Sequence, residues 1–194
     1  MKITVVSAGG CGQTFFMKFL NENNIETNCL LDTDNIKHCS HPKFVFDKSK
    51  TTEKVIFLYN NPFLTILSHF RRNWHWTQMH KLGSPYKINY KKITSIKDFI
   101  NLTKQYGHDI FGIKYQFDNW INYDKSKSIL FLDFTTIEKN QDILNEFIGE
   151  KLNFNNFKII KRNSCPDNYD SCIIKIYEDL YTYIKQKVSE RNNL

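Results

Sequence analysis

Proline is scarce in this chain, four in 194 residues, and glycine numbers only seven. That composition excludes collagen-like sequence and Pro/Gly-rich low complexity. No stretch approaches the roughly 18–20 consecutive apolar residues that a membrane-spanning helix needs. Only Met1 and Lys2 precede the apolar run Ile3-Thr4-Val5-Val6, so no signal peptide or anchor is expected. The five cysteines, Cys11, Cys29, Cys39, Cys165 and Cys172, are odd in number and fit no disulfide framework. Reduced thiols in a cytoplasm-like compartment are the expectation. His38-Cys39-Ser40-His41 lacks the second ligand pair of a zinc site, so no metal is expected. Arginine is also rare: Arg71, Arg72, Arg162 and Arg191 are all there is.

What is present is a globular composition, 41% hydrophobic, 15% aromatic and 24% charged. A chain of this length buries enough surface for one self-sufficient core, so a single domain over 1–194 is expected. The net charge is +7. It is carried mainly by lysines spread along the chain, which reads as a solvated surface and not as a nucleic-acid stripe. A small anionic ligand is the sharper reading.

Strand signals alternate with helix signals. Lys2–Ser7 reads as a first strand, running into Ala8-Gly9-Gly10-Cys11-Gly12, and Thr14–Leu20 carries apolar residues at helical spacing. Thr27–Leu31 reads as a second strand and Lys54–Tyr59 as a third, apolar enough to be buried on both faces. A helix from Phe63 to about Trp74 follows Pro62. The stretch from Thr77 to Tyr90 has little periodicity and reads as a mobile loop. Helices are expected over 94–106, capped by Thr94, over 109–122, over 142–148 and over 168–188, with a fourth strand at Ser128–Asp133. The pattern predicts an α/β fold, three-layer αβα, with a parallel sheet of about five strands.

A glycine loop between a strand and a helix is suited to an anion, because the first helical N–H groups are unpaired and the helix dipole favours negative charge. Gly12-Gln13-Thr14 lacks the lysine of a Walker loop, so ATP or GTP hydrolysis is not expected. Gly10-x-Gly12 half fits a dinucleotide fingerprint, with Phe15 in place of the third small residue and Asp32 spaced to hold a ribose. A tight turn without a ligand is the third reading.

Taken in order, the chain resembles the sulfotransferase family, enzymes with a P-loop NTPase-like fold that use 3′-phosphoadenosine-5′-phosphosulfate (PAPS). Gly9-Gly10-Cys11-Gly12-Gln13-Thr14-Phe15 is similar to that family's Pro-Lys-Ser-Gly-Thr-Thr loop, which holds the 5′-phosphosulfate. Lys37-His38-Cys39-Ser40-His41-Pro42 resembles its Lys-Thr-His-Leu-Pro segment, which carries a catalytic base. Val55–Ser68 is similar to the strand followed by Arg-x-Pro-x-Asp-x-x-x-Ser that binds the 3′-phosphate. Trp120, Ile129–Phe134 and Asn145–Gly149 resemble later family segments, so the likeness spans about residues 3–165. Three positions depart: Gly10 stands for the loop lysine, Asn60 for the arginine and Leu64 for the aspartate.

The resemblance implies sulfuryl transfer to a hydroxyl or amine on a small-molecule or glycan acceptor, with PAPS as co-substrate and no metal. It implies a nucleotide site at Gly9, Gly10, Cys11, Gly12, Gln13, Thr14, Asn60 and Ser68. Arg71, Arg72, Arg162 or Lys18 would supply the charge lost at Gly10 and Asn60. His41 is the expected base, with His38 in reserve. The 77–90 segment is the expected lid. A non-catalytic protein that kept the fold is the alternative, and a cation pointing into the loop would argue against it. Beyond the resemblance, Trp74 or Trp76 is expected to line a site and the other to pack in the core. The His69, Arg72 and His75 stripe reads as solvated, and Trp120, Tyr177, Leu180 and Ile184 read as core.

Overall fold

Strand β1 (Lys2–Ser7) lies inside a four-stranded, all-parallel sheet of order β2-β1-β3-β4 among the described residues. The structure is a computed structural model, and the residues it describes are 2–47, 54–83, 85–123, 128–159 and 169–192. β3 (Lys54–Tyr59) pairs with β1 from Ile3↔Lys54 to Ser7↔Leu58, and β4 (Ile129–Asp133) pairs with β3 from Val55↔Ile129 to Tyr59↔Asp133. Side chains alternate between faces along a strand. Ile3, Val5, Ile56, Leu58, Leu130 and Leu132 therefore enter one apolar cluster, while Val6, Val55, Phe57, Ile129 and Phe131 enter another.

Each cluster is closed by helices. Phe16, Met17, Phe19 and Leu20 of α1 (Gln13–Glu22) and Leu144 and Ile148 of α7 (Gln141–Ile148) cover the first. The second is covered by α3 (Pro62–Arg71), α4 (His75–Leu82), α5 (Ile96–Tyr106), α6 (Ile113–Ile121) and α8 (Ser171–Asn192). α8 buries Ile173, Tyr177, Leu180, Ile184 and Val188, spaced three or four apart as one helical face requires. Trp120 is fully buried, so this core is as the sequence predicts. A short helix α2 (Lys43–Phe46) and two 3₁₀ turns, Tyr90–Lys92 and Phe134–Lys139, complete the described elements.

Five expectations change. The sheet has four strands among the described residues, not about five, and β2 is only Glu26–Thr27. The side chain of Asn28 ends β2: it accepts from Val5 N (2.8 Å) and donates to Val5 O (3.2 Å), occupying the ladder positions that a further peptide would use. The helix expected to reach Trp74 stops at Arg71, because Asn73 turns left-handed at φ 54° and Trp74 N returns to the His69 carbonyl. The expected loop at 77–90 is helical as far as Leu82, and Lys81 is pinned to Asp32 at 2.6 Å, so this part is no loose lid. At α5 the cap is Ser95 and not Thr94, in a reciprocal capping box with Asp98.

Candidate functional site

Leaving β1, the chain passes through α1 to β2 on one side, then returns to β3 on the other. α1 and α3 cover opposite faces, so a crevice opens where the carboxyl ends of β1 and β3 diverge, the usual ligand position in open parallel sheets. A cleft of about 740 Å³ lies there. It falls within the range of roughly 300–1,000 Å³ typical of small-ligand sites. Lys37, Arg71, Arg72 and Lys158 line it, and no Asp or Glu does among the described residues.

The floor is the glycine loop. α1 opens at Gly12, left-handed at φ 85°, which has no side chain to cap the first N–H groups. In α3, by contrast, Asn61 Oδ1 accepts from Phe63 N and Leu64 N. The N-terminus of α1 is thus left for an anion. A Cβ on Gly12 would penetrate the Phe134 ring. Gly10, at φ 70°, lies under α3, where a Cβ would sit 2.8 Å from the Thr65 carbonyl oxygen and 3.3 Å from Ser68 Cβ. A lysine therefore has no room at residue 10.

The ammonium arrives from elsewhere. Lys37, 5% exposed, donates from Nζ to Thr14 Oγ1 at 2.7 Å and to the Leu30 carbonyl at 2.8 Å. It has no ion pair among the described residues, since one oxygen of Asp32 is held by Lys81 and the other by the Lys37 backbone N–H. Burial lowers its pKa, with nearby Asp32 acting in the opposite sense. A buried cation without a counter-charge is costly unless a ligand supplies one.

Two imidazoles flank the loop. His38 Nδ1 lies 3.2 Å from the Ser7 carbonyl, which only accepts, so Nδ1 carries the proton and Nε2 keeps a lone pair. Burial holds His38 neutral, its pKa lowered to about 4. His69 donates from Nε2 to the Ala8 carbonyl (3.1 Å), stacks on Phe111, and is lowered to about 3 by burial and by Arg72. On the rim, Arg72 forks onto Ser68, with Nε to its carbonyl and Nη2 to Oγ, both at 3.0 Å, and its guanidinium lies over the Trp74 ring. Ser68 Oγ accepts from Arg72 and so retains its own hydrogen for donation.

Of the residues named from sequence, Gly9, Gly10, Cys11, Gly12, Gln13, Thr14, Asn60, Ser68, Arg71, Arg72 and His38 line this one cleft. Arg162 and Cys165 lie outside the described residues. Lys18 and His41 do not line it: the His41 ring meets the edge of Tyr123, and its Nδ1 accepts from Lys43 N. Gln13 lines the cleft by position, yet its amide turns inward, 3% exposed. Asp32 does not line the cleft, though its Oδ1 accepts from the backbone N–H of Lys37, which does. The stripe read as solvated is buried at His69 and at His75, which donates from Nε2 to the Ile93 carbonyl and stacks on Phe70. Trp74 lines the cleft, and Trp76 is exposed elsewhere instead of packing in the core. Lys37, His69 and Lys158 are charged or titratable site residues that the sequence reading left without a role here. No protein-family model matches the chain, and no curated protein matches its sequence.

Proposed function

We propose that this protein is sulfotransferase-like, with a P-loop NTPase-like fold, and that it binds a 3′-phosphoadenosine nucleotide in the cleft. It would transfer a sulfuryl group from PAPS to a hydroxyl or amine. The observation that carries this reading is the buried ammonium of Lys37, without an ion pair among the described residues, set against Thr14 at the start of α1 in a cleft that no described carboxylate lines. A cation at the loop also favours donor binding over a scaffold that merely kept the fold.

Each group then has a role. The loop N–H groups, Thr14 and Lys37 hold the 5′-phosphosulfate and take up charge on the leaving phosphate as the S–O bond breaks. Ser68 and Arg72 face the 3′-phosphate, with Arg72 standing in for the cation lost at Asn60. His38 Nε2 accepts the proton of the acceptor as the new bond to sulfur forms, and the Ser7 carbonyl fixes its tautomer. His38 thereby replaces His41 as the proposed base. A dinucleotide reading finds less support: Asp32, the residue meant for the ribose, is held by Lys81 and does not line the cleft.

Thermal unfolding with adenosine 3′,5′-bisphosphate, NAD or ATP tests this. Ligand at 100 times its dissociation constant stabilises by about 2.7 kcal/mol. At about 2–4 °C per kcal/mol for a chain of this size, the bisphosphate should raise Tm by about 5–11 °C. Stabilisation by NAD alone, or by none of the three, refutes the proposal.

A further inference from the structure

Gln13 stands at the first turn of α1, where a side chain ordinarily faces solvent or ligand, yet it is buried and every bonding group of its amide is used. Nε2 donates to the Val5 carbonyl at 2.8 Å and to the Lys37 carbonyl at 3.1 Å. Oε1 accepts from Ser7 Oγ at 2.6 Å, and Ser7 Oγ in turn accepts from Gly9 N at 2.9 Å. The Lys37 carbonyl also accepts from Ser7 N. One amide thus ties together the end of β1, the glycine loop and the backbone of the residue whose ammonium reaches Thr14. A fully satisfied buried network of this kind fixes a single geometry.

We infer that Gln13 is a positioning residue that holds Lys37 on the anion-binding loop, so that an ammonium from outside the loop does what a lysine at residue 10 has no room to do. The inference rests on the donor-binding reading of this cleft. Gln13 does not touch the anion. It acts through the backbone of residue 37, and the consequence is energetic coupling between the two side chains. A residue that only stabilised the fold would lower Tm and would weaken binding independently of Lys37.

Calorimetric titrations with adenosine 3′,5′-bisphosphate and, separately, inorganic pyrophosphate on wild type, Gln13→Leu, Lys37→Met and the double variant, from pH 7 to pH 10.5, test this. Gln13→Leu should weaken both anions at least ten-fold and flatten the alkaline loss of affinity that follows Lys37 deprotonation. In the Lys37→Met background it should cost less than two-fold more. Gln13→Asn keeps a buried amide but falls one carbon short of residue 37; it serves where the leucine variant does not fold, and should show the same coupling. Additive losses, or an unchanged alkaline limb in a folded Gln13 variant, overturn the inference alone. Pyrophosphate bound and coupled while the bisphosphate is not overturns the nucleotide reading and upholds the role of Gln13. Binding of neither anion to wild type overturns both.

Discussion

Replacing Lys37 by Met removes a charge while nearly keeping its length, and its effects on binding and on stability should part company. Two of the three ammonium hydrogens go to Thr14 Oγ1 and the Leu30 carbonyl, leaving the third and the net charge for a ligand. A hydrogen bond from a charged group is worth about 1.5–3 kcal/mol. At about 1.4 kcal/mol per decade, the affinity for adenosine 3′,5′-bisphosphate should fall about 10- to 150-fold. The free protein should barely change. Methionine abolishes the desolvation penalty and forfeits two hydrogen bonds whose acceptors, on an exposed Thr14 and a half-buried Leu30, are within reach of water. A net change within about 1 kcal/mol shifts Tm by no more than about 4 °C. The pH dependence supplies a sign. Burial lowers the folded pKa of Lys37 below the unfolded value of 10.5, so between the two the unfolded chain binds more protons. Wild type should therefore gain stability relative to Lys37→Met as pH rises toward 10.5, while its anion affinity falls. Titration calorimetry and urea unfolding at matched pH read both. Affinity within two-fold of wild type, or a Tm loss beyond about 10 °C with affinity unchanged, would refute the argument.

Gly12→Ala should destabilise by about 2–5 kcal/mol, summing a left-handed backbone penalty of about 1–2 with overpacking of about 1–3. Urea unfolding should show that Phe134→Ala in the same chain relieves only the packing part; an unchanged midpoint contradicts the crowding at Phe134. His38 and His69 titrate near 4 and 3 when folded and near 6.5 when unfolded, so the unfolded chain takes up protons first as pH falls. Stability should thus drop from pH 6.5 toward 4, and His69→Phe should flatten that slope; equal slopes argue that His69 is not buried neutral. Ser68→Ala should weaken adenosine 3′,5′-bisphosphate about 10- to 150-fold, the worth of one hydrogen bond to a charged phosphate, and leave adenosine 5′-monophosphate unchanged. Loss on both ligands places Ser68 elsewhere. In a sulfuryl-transfer assay His38→Ala should lose about 10²- to 10⁴-fold and His41→Ala almost nothing, and the reverse ranking returns the role of base to His41.

Much of the fold was legible because its signals are local. β3 is a continuous apolar run, the glycine loop follows β1 directly, and Pro62 marks the start of α3. The glycine-loop residues, Asn60, Ser68, Arg71 and Arg72 meet at one cleft because each follows a strand at the same end of a parallel sheet. Other features escaped for equally physical reasons. The early end of β2 depends on Asn28 acting as a surrogate peptide toward Val5, which no pattern of apolar residues records. α4 buries His75, Gln78, Met79 and Leu82 at helical spacing, but two of the four are polar and mask the period. The role of Lys37 was hidden because it depends on residues 28–37 winding back to the start of α1. His69 was misread because helical spacing alone does not tell a solvated stripe from one pressed against a loop.

The closeness of α3 to Gly10 also limits how this site can evolve. A lysine introduced at residue 10 would first meet the Thr65 carbonyl and Ser68, and α3 is anchored by buried Phe63, Ile66 and Leu67. Placing a cation at residue 10 thus demands that the helix withdraw and the lysine arrive together, since either change alone is harmful. Moving Lys37 away first would strip the cleft of its buried charge before any successor could take its place. The arrangement is entrenched: substitutions that are harmless in a roomier loop are closed here, and the order of events decides which sequences the chain can reach.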